Sequence, residues 1–178
     1  MSKQHPVIAV TGSSGAGTTT VKRALEHIFY RDGFNAAIIE GDSFHRYDRA
    51  EMKSAMAKAA EEHRNLSHFG AEANRFDMLE ELFKNYSETG SGKKRYYIHS
   101  EEEAAELNAR LGTNLDPGQF TPWEEIPEGT DLLFYEGLHG LVVTEEHNVA
   151  EHVDLGVGVV PIVNLEWIQK IHRDNLER

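Results

Sequence analysis

The feature that most constrains the fold is a glycine-rich segment between a short apolar run and a helical pattern. Residues 7–11 (VIAVT) are apolar and β-branched, and residues 12–19 (GSSGAGTT) follow them directly. From residue 18 to about residue 30, apolar side chains recur at helical spacing. A strand, a glycine turn and a helix in this order predict a loop whose backbone N–H groups converge on one anion, helped by the helix N-terminus. We prefer this interpretation to a ligand-free glycine turn because the preceding strand, the glycine spacing, the hydroxyl of Thr19 and the following helix all fit a phosphate-binding loop.

This loop departs from the usual nucleotide-binding pattern at one position. The pattern G-x-x-x-x-G-K-[S/T] contains a lysine that reaches the β- and γ-phosphates, and the residue here is Thr18. Another cation must replace that lysine; we expect Lys22 to point elsewhere, which leaves Lys170 and Arg173 as better candidates. Thr19 stands where the hydroxyl binds magnesium. The predicted phosphate-binding residues are Gly12, Ser13, Ser14, Gly15, Ala16, Gly17, Thr18 and Thr19.

The remaining chain alternates between short apolar runs and longer helical patterns. We predict further strands at residues 36–40, 95–99, 131–136 and 153–160, the last two fully buried. We predict helices at residues 48–64, 71–86, 101–111 and 164–178, the last with Asn164 as its N-cap. Residues 112–130 are expected to form a surface excursion. This alternation predicts one α/β domain over residues 1–178, with a largely parallel sheet flanked by helices.

Charge and composition exclude several classes of protein. The net charge of −12 argues against a general nucleic-acid binder but leaves room for a local basic site for a phosphorylated metabolite. No apolar run approaches the ~20 residues of a membrane span, and the N-terminus lacks the pattern of a signal peptide. We therefore expect a cytoplasmic protein that does not contact a membrane. The absence of cysteine excludes disulfides and thiol catalysis.

A carboxylate, Asp42, directly follows the second predicted strand. The carboxyl ends of parallel strands face the ligand, so Asp42 is expected near the phosphate loop. It can accept the proton of an attacking hydroxyl or orient that hydroxyl; the alternative is that it only caps the next segment. His45, Arg49 and Lys53 would share one helix face, and we assign His45 and Arg49 to a phosphate on the acceptor. Arg46 and Lys53 are assigned to a solvated basic face.

Two further candidate sites come from later strands. Tyr97 and His99 alternate onto one face of the strand predicted at 95–99, within a basic cluster, and could complete the acceptor site. Glu136 ends a buried strand, where an acid can act on magnesium or its bound water. The alternative for Glu136 is a charged residue that merely ends a strand.

Three charged residues near the C-terminus share a helix face. Lys170, Arg173 and Asp174 lie at i, i+3 and i+4 and so face one way. A cationic helix closing over the phosphates would supply the charge that Thr18 lacks. A surface helix with an internal Lys–Asp pair, worth only ~0.3–0.5 kcal/mol, fits the spacing equally well.

Four segments together resemble one enzyme family. The loop without its lysine, EGDSFHR at 40–46, FYEGLHG at 134–140 and VGVVPIVNLEWIQKIHRD at 157–174 are similar to bacterial phosphoribulokinases, and the resemblance covers essentially all 178 residues. It implies a P-loop NTPase fold like that of nucleoside monophosphate kinases. It also implies transfer of the γ-phosphoryl group of ATP, with Mg²⁺, to the 1-hydroxyl of ribulose 5-phosphate. The product, ribulose 1,5-bisphosphate, serves carbon fixation in the Calvin cycle.

The resemblance also implies a role for each candidate residue. Asp42 matches the catalytic base, Lys170 the cation that stabilises the transferring phosphoryl group, and Asp174 a second acid needed for turnover. Glu136 matches the acid beside magnesium, and threonine at position 18 is a trait of the bacterial branch. The matched sugar-phosphate contacts are His45, Arg49, Tyr97, His99 and Arg173. Members of this branch resemble homo-oligomers activated by NADH, with Arg31 at a position implicated in that control, and Arg178 matches a further basic position.

The expectation that the chain is a fragment limits the activity that we expect of it. Residues 164–178 carry no helix stop signal, and family members continue past residue 178, so we expect a fragment with one sheet edge unpaired and with low or no turnover. Two other functions stay open: a nucleoside kinase of the uridine kinase type on the same fold, and a nucleotide-binding regulatory protein without catalysis.

Overall fold

A computed structural model describes residues 4–176 of the protein, without the side chains of residues 173, 174 and 176. The strands are β1 (Val7–Gly12), β2 (Ala36–Glu40), β3 (Lys93–Lys94), β4 (Glu124–Glu125), β5 (Leu132–Gly137) and β6 (Leu155–Val159). The helices are α1 (Thr18–Asp32), α2 (Arg49–Glu61), α3 (Phe76–Thr89), α4 (Glu101–Leu111) and α5 (Val163–Leu176). Short 3₁₀ turns cover Gly41–Phe44, Ala71–Ala73 and Val149–His152.

The main sheet is parallel, and its strand order is β2-β5-β1-β6. The two central strands are buried on both faces, as expected for runs without polar alternation; Val7 and Phe134 have no exposed surface. Phe83 of α3 packs edge-on against Tyr135, with 5.4 Å between ring centroids. Phe29 of α1 packs against Phe134 at 5.5 Å. The predicted helix-flanked parallel sheet is therefore confirmed.

All four strands point the same way, so their carboxyl ends meet at one edge of the sheet. The register pairs Glu136 at the end of β5 with Glu40 on β2 and with Val10 on β1. The glycine-rich loop leaves β1 at this edge, and the turn that contains Asp42 leaves β2 there. The topology alone thus brings the two predicted sites together.

The prediction of a strand at residues 95–99 is wrong. The antiparallel pairing covers β3 and β4 instead, and within 95–99 only Tyr97 forms a bridge, with Phe120. The partner segment bends at Gly118, whose φ is +97°, so regular pairing cannot continue along it. The helix predicted at 71–86 is displaced, since a 3₁₀ turn precedes α3.

The C-terminal elements differ from prediction in exposure and in one boundary. β6 forms within the predicted range, but it is an edge strand and Leu155 is 53% exposed, so its predicted burial is wrong. α5 begins at Val163, which places Asn164 inside the helix rather than at its N-cap. Trp167 and Ile168 of α5 are exposed. Among residues 4–176, no helix is long and apolar enough to cross a membrane.

Candidate active site

The glycine-rich loop joins β1 to α1 as predicted. Gly15 and Gly17 have φ values of +93° and +92°, which side chains with a Cβ rarely adopt, so the loop requires glycine at both positions. Gly17 is the N-cap of α1. The first amides of α1 therefore point out of the helix end, where an anion can accept their hydrogen bonds.

Helix α5 packs directly on this loop. The Ser13 hydroxyl donates to Glu166 Oε1 at 2.5 Å. A Cβ atom at Gly15 would lie 3.3 Å from Lys170 Cβ, so the backbone of α5 passes closely over the loop. The Lys170 ammonium lies 5.8 Å from the centre of the Phe69 ring. The start of the Lys170 side chain thus lies beside the loop, and its role toward the phosphates stays a prediction.

A group of charged residues surrounds the carboxyl end of β5. The Thr18 hydroxyl donates to the Glu136 carboxylate, and the Lys22 ammonium donates to Glu40 Oε1. Burial raises the pKa of Glu136; the hydrogen bond from Thr18 and the charge of Lys22 oppose this, whereas Glu40 and Asp42 add to it. Lys22 is therefore paired with Glu40 at the strand ends beside Glu136, and which cation takes the place of the missing lysine stays a prediction.

The residues near Glu136 fit a magnesium ion only in the company of phosphate oxygens. Across the described residues, no three His, Cys, Asp or Glu side chains gather as an ion cage. Magnesium in phosphoryl-transfer sites typically uses one or two carboxylates, a hydroxyl and substrate phosphates rather than such a cage. Glu136 supplies one carboxylate beside the loop, and Thr19 opens the helix that follows it. Their assignment as magnesium ligands stays a prediction.

The Asp42 carboxylate lies between two imidazole rings. Its Oδ1 is 3.3 Å from His45 Nε2, and its Oδ2 is 3.6 Å from His99 Nε2. Tyr97 packs edge-on against both rings, at 6.3 Å from His45 and 5.0 Å from His99. Because the charge of Asp42 also acts on Glu136, this cluster and the phosphate loop lie at the same edge of the sheet.

The hydrogen bonds around His45 favour its charged form. Its Nδ1 is 2.9 Å from Asn74 Oδ1, and the Asn74 amide nitrogen donates to the carbonyls of His68 and Gly70, both at 2.8 Å. The His45 Nδ1 therefore carries a proton, while its Nε2 faces the acceptor oxygens of Asp42. Burial lowers the pKa of His45, but Asp42 and Asn74 outweigh it and leave that pKa above the usual value.

A second histidine near this cluster has the opposite tendency. The His139 ring packs 4.9 Å from Phe76, and its Nε2 is buried without a hydrogen-bond partner in the described part of the chain. Burial lowers the pKa of His139 to about 4, with a further contribution from the charge of His45. Nothing in the local sequence around His139 indicates this contrast with His45.

The helix face predicted for His45, Arg49 and Lys53 is wrong. His45 is extended, and α2 begins only at Arg49 because Asp48 caps it in a capping box with Glu51. The Arg49 side chain packs over the backbone of Gly118, where a Cβ atom would be 2.8 Å from Arg49 Cβ. Its contact with an acceptor phosphate stays a prediction. The side chains of Arg173 and Asp174, and all of Arg178, lie outside the described residues.

Part of the predicted basic cluster has a structural role. Lys93 lies 3.4 Å from Glu125 and Lys94 lies 3.9 Å from Glu124, so both pair across the small sheet. Arg95 turns inward and bonds to the segment that follows β2. Sequence reasoning missed this contact, as it missed Asn74, because both partners are distant along the chain.

Comparisons with known proteins agree with this geometry. Residues 7–178 match the model of the Phosphoribulokinase / Uridine kinase family. The plasmid phosphoribulokinase of Cupriavidus necator is 58% identical over all of this chain and 59% of its own length. The phosphoribulokinase of Xanthobacter flavus is 59% identical over all of this chain and 60% of its own length. This chain thus spans about three fifths of the length of these curated relatives.

A solved structure confirms the fold class. The phosphoribulokinase from Rhodobacter spheroides superposes on this chain with a TM-score of 0.83 at 47% identity, over 99% of this chain and 58% of that protein. Together with the parallel sheet, the glycine-rich loop and the flanking helices, this match confirms the predicted P-loop NTPase-like α/β fold.

Proposed function

Because the chain belongs to the Phosphoribulokinase / Uridine kinase family, we propose that the protein transfers the γ-phosphoryl group of ATP to the 1-hydroxyl of ribulose 5-phosphate. The products would be ADP and ribulose 1,5-bisphosphate. The observation that carries the proposal is the Asp42 carboxylate, held between His45 and His99 at the sheet edge from which the phosphate loop leaves. The names of the matched relatives support the choice of acceptor.

The proposed chemistry assigns the proton to Asp42. The acceptor oxygen forms a bond to the γ-phosphorus, the bond from that phosphorus to the β–γ bridging oxygen breaks, and ADP leaves with the electron pair. The Asp42 carboxylate accepts the proton of the attacking hydroxyl or orients that hydroxyl. Such a role typically raises the rate by ~10²–10⁴. The His45 imidazole, with its Nε2 3.3 Å from Oδ1, helps to fix the direction of that carboxylate.

Other residues of the chain bind and orient the two anionic substrates. The amides of residues 12–19 and of the α1 N-terminus hold the nucleotide phosphates, and Lys170 adds the positive charge that Thr18 cannot supply. Mg²⁺, held by Glu136 and Thr19 together with phosphate oxygens, would neutralise charge on those phosphates when bound.

The imidazole groups beside Asp42 favour an acceptor that carries its own phosphate. The pKa of His45 is raised, so this ring, flanked by His99 and Tyr97, holds a proton more readily than an ordinary histidine and suits a phosphate monoester better than a neutral nucleoside. Arg49 and Arg173 are proposed as further contacts to that phosphate. A nucleoside kinase of the same family would instead need an aromatic or amide pocket for its base.

An acceptor screen with ATP and Mg²⁺ tests the proposal. Ribulose 5-phosphate, other pentose phosphates and uridine are compared by coupled ADP release. The chain is assayed alone and as a chimera that continues after Arg178 with the part of the Cupriavidus necator relative beyond the match. We expect ribulose 5-phosphate to be preferred by the chimera, with lower turnover by the chain alone. Preference for uridine would refute the proposed acceptor.

Substitution of Asp42 separates catalysis from mere nucleotide binding. We expect Asp42→Asn to lower turnover by ~10²–10⁴ while ATP affinity, measured by calorimetry, is retained. Asp131→Asn is the matched control, because Asp131 precedes β5 at the amino end of the strand, away from the phosphate loop, and accepts the Asn35 amide at 2.7 Å. Unchanged turnover in Asp42→Asn would contradict its role, and ATP binding without turnover in the unsubstituted chimera would indicate a regulatory protein.

The regulatory features implied by the resemblance remain part of the proposal. We propose a cytoplasmic homo-oligomer whose activity responds to NADH through Arg31. Arg31 is an exposed residue of α1 whose guanidinium bonds to Asp32 at 2.8 and 3.0 Å. Sedimentation and NADH titration of the chimera test both features.

A further inference from the structure

Arg95 makes a set of contacts that the proposed chemistry does not use. Its Nε donates to the carbonyl of Ser43 and its Nη2 donates to the carbonyl of His45, both at 2.8 Å. These two carbonyls bracket the end of the turn Gly41–Phe44. One guanidinium therefore fixes the backbone on which both Asp42 and His45 are carried.

The same guanidinium is held between two aromatic rings. Its central carbon lies 3.7 Å from the centre of the Phe120 ring and 4.7 Å from that of Trp123. Phe120 also packs against Tyr97, at 5.2 Å, and Trp123 against Phe44, at 5.8 Å. Cation–π contact strengthens when the cation is desolvated, and burial lowers the pKa of Arg95 to about 10, which still leaves it charged.

The geometry points to Arg95 as a positioning residue that sets the place of Asp42 and His45 for the acceptor, given the proposed kinase function. It acts through the main chain, because its two hydrogen bonds end on carbonyl oxygens rather than on a carboxylate. A planar fork with two parallel donors matches two neighbouring carbonyls, whereas an ammonium is a point charge on a flexible stem. Charge alone should therefore not replace it.

Two substitutions separate the fork from the charge. Arg95→Lys keeps the positive charge but loses the fork, and Arg95→Gln keeps one donor but loses the charge. We expect both to lower turnover with ribulose 5-phosphate by about 10- to 100-fold, since displacement of reacting groups by ~1 Å costs about 10²-fold. The KM for the sugar phosphate should rise, whereas the KM for ATP should change by less than about twofold, because the hydrogen bonds of Arg95 end on the turn that carries Asp42 rather than on the phosphate loop.

Arg110→Lys is the matched control. Arg110 also stacks on an aromatic ring of this region, 5.1 Å from the centre of Tyr96, and lies 3.3 Å from Glu124, but it is bonded to the small sheet rather than to the Asp42 turn. We expect its kinetic constants to stay within about twofold of the unsubstituted protein, as for most surface substitutions. A comparable loss of turnover in Arg110→Lys would mean that stacking on the small sheet supports activity, rather than the two hydrogen bonds from Arg95 to the turn, and would contradict the inference.

A readout independent of turnover makes the result decisive. In ¹⁵N-histidine spectra, the ring resonances of His45 should shift in both Arg95 variants because its place between Asn74 and Asp42 changes, while those of His147 should not. If the unsubstituted chimera has no kinase activity, the proposed function fails but this test of Arg95 stands. Wild-type kinetics and His45 resonances in a folded Arg95→Lys protein would overturn the inference. Should neither Arg95 variant fold, hydrogen exchange of the Arg95 Nε–H in the unsubstituted protein decides instead: slow exchange is expected for a donor bonded to the Ser43 carbonyl, and exchange as fast as that of an exposed arginine would overturn the inference.

Discussion

Gly41 is the position at which we expect a single added methyl group to disturb the site most. Gly41 starts the turn that carries Asp42, and a Cβ atom there would lie 2.5 Å from the Tyr135 hydroxyl and 3.0 Å from the Cα of Gly137. Tyr135 is 1% exposed in the centre of the sheet, so its ring has no space into which to retreat. Gly41→Ala must therefore push the turn outward, and Asp42 with it.

The cost of this change can be bounded from the contacts. Forcing an extra methyl group into a packed site typically costs ~1–3 kcal/mol. Removing the tyrosine hydroxyl leaves distances of 3.0 Å to Gly137 Cα and 3.1 Å to Tyr135 Cζ, which small shifts accommodate. Tyr135→Phe itself loses one long hydrogen bond, from the His139 amide at 3.3 Å, a loss of ~0.5–1.5 kcal/mol. We therefore expect a favourable coupling of about 1–2 kcal/mol in the double variant.

Urea unfolding of the four proteins in this cycle measures the coupling, and turnover measures the displacement of Asp42. Gly158→Ala is the control, since Gly158 is an exposed strand glycine with a φ outside the left-handed range and nothing within 4 Å of its would-be Cβ. A glycine-to-alanine change at such a site usually stabilises by ~0.4–1 kcal/mol through the unfolded chain. Strict additivity of Gly41→Ala and Tyr135→Phe would refute the proposed steric cause.

Two further predictions concern titration. The titration midpoints of His45 and His139 should be shifted in opposite directions from that of an ordinary histidine. In NMR titrations, His45 should stay protonated to higher pH, whereas His139 should stay neutral down to about pH 4. An ordinary midpoint for His139 would contradict its burial. Glu80 accepts from the Asn148 amide at 3.0 Å and lies 2.9 Å from His147 Nδ1, and these two hydrogen bonds lower its pKa. Its stabilising effect is therefore present above its unfolded pKa and is lost as the pH falls through the lowered value. Glu80→Gln should cost ~1–3 kcal/mol near neutral pH and less in acid, and equal urea midpoints for both proteins at pH 7 would contradict this.

The general fold could be predicted from sequence because its causes are local. A β-branched run, a glycine turn and a helical stripe specify the β1–loop–α1 unit, and a run without polar alternation specifies a strand buried on both faces, as in β5. Edge position is not a local property. β6 has an apolar sequence like that of β5, yet it lies at the edge of the sheet, and only the strand order distinguishes the two.

The site was predictable where one strand end supplies the residue and was not where two distant segments meet. Asp42 follows β2 and Glu136 lies at the carboxyl end of β5, so the rule that ligands bind at strand ends located both. Asn74 reaches His45 across 29 residues, and Arg95 reaches the same segment across 50. The basic run at 93–99 therefore appeared to be one substrate-binding cluster, although only Tyr97 and His99 in it lie beside Asp42.

The contrast between His45 and His139 shows how one crevice can shift the pKa values of two imidazoles in opposite directions. Asn74 and Asp42 both accept hydrogen from His45, so the charged ring is stabilised despite burial. His139 has a buried Nε2 without an acceptor in the described chain, and the charge on His45 disfavours a second one beside it. The two rings affect each other, because a proton on one ring repels a proton on the other. Protonation of His45 therefore favours the neutral form of His139. On lowering the pH, the stabilising contribution of His45 is gained above the ordinary histidine pKa and is complete below it, whereas His139 destabilises the fold as the pH falls from that ordinary value to about 4.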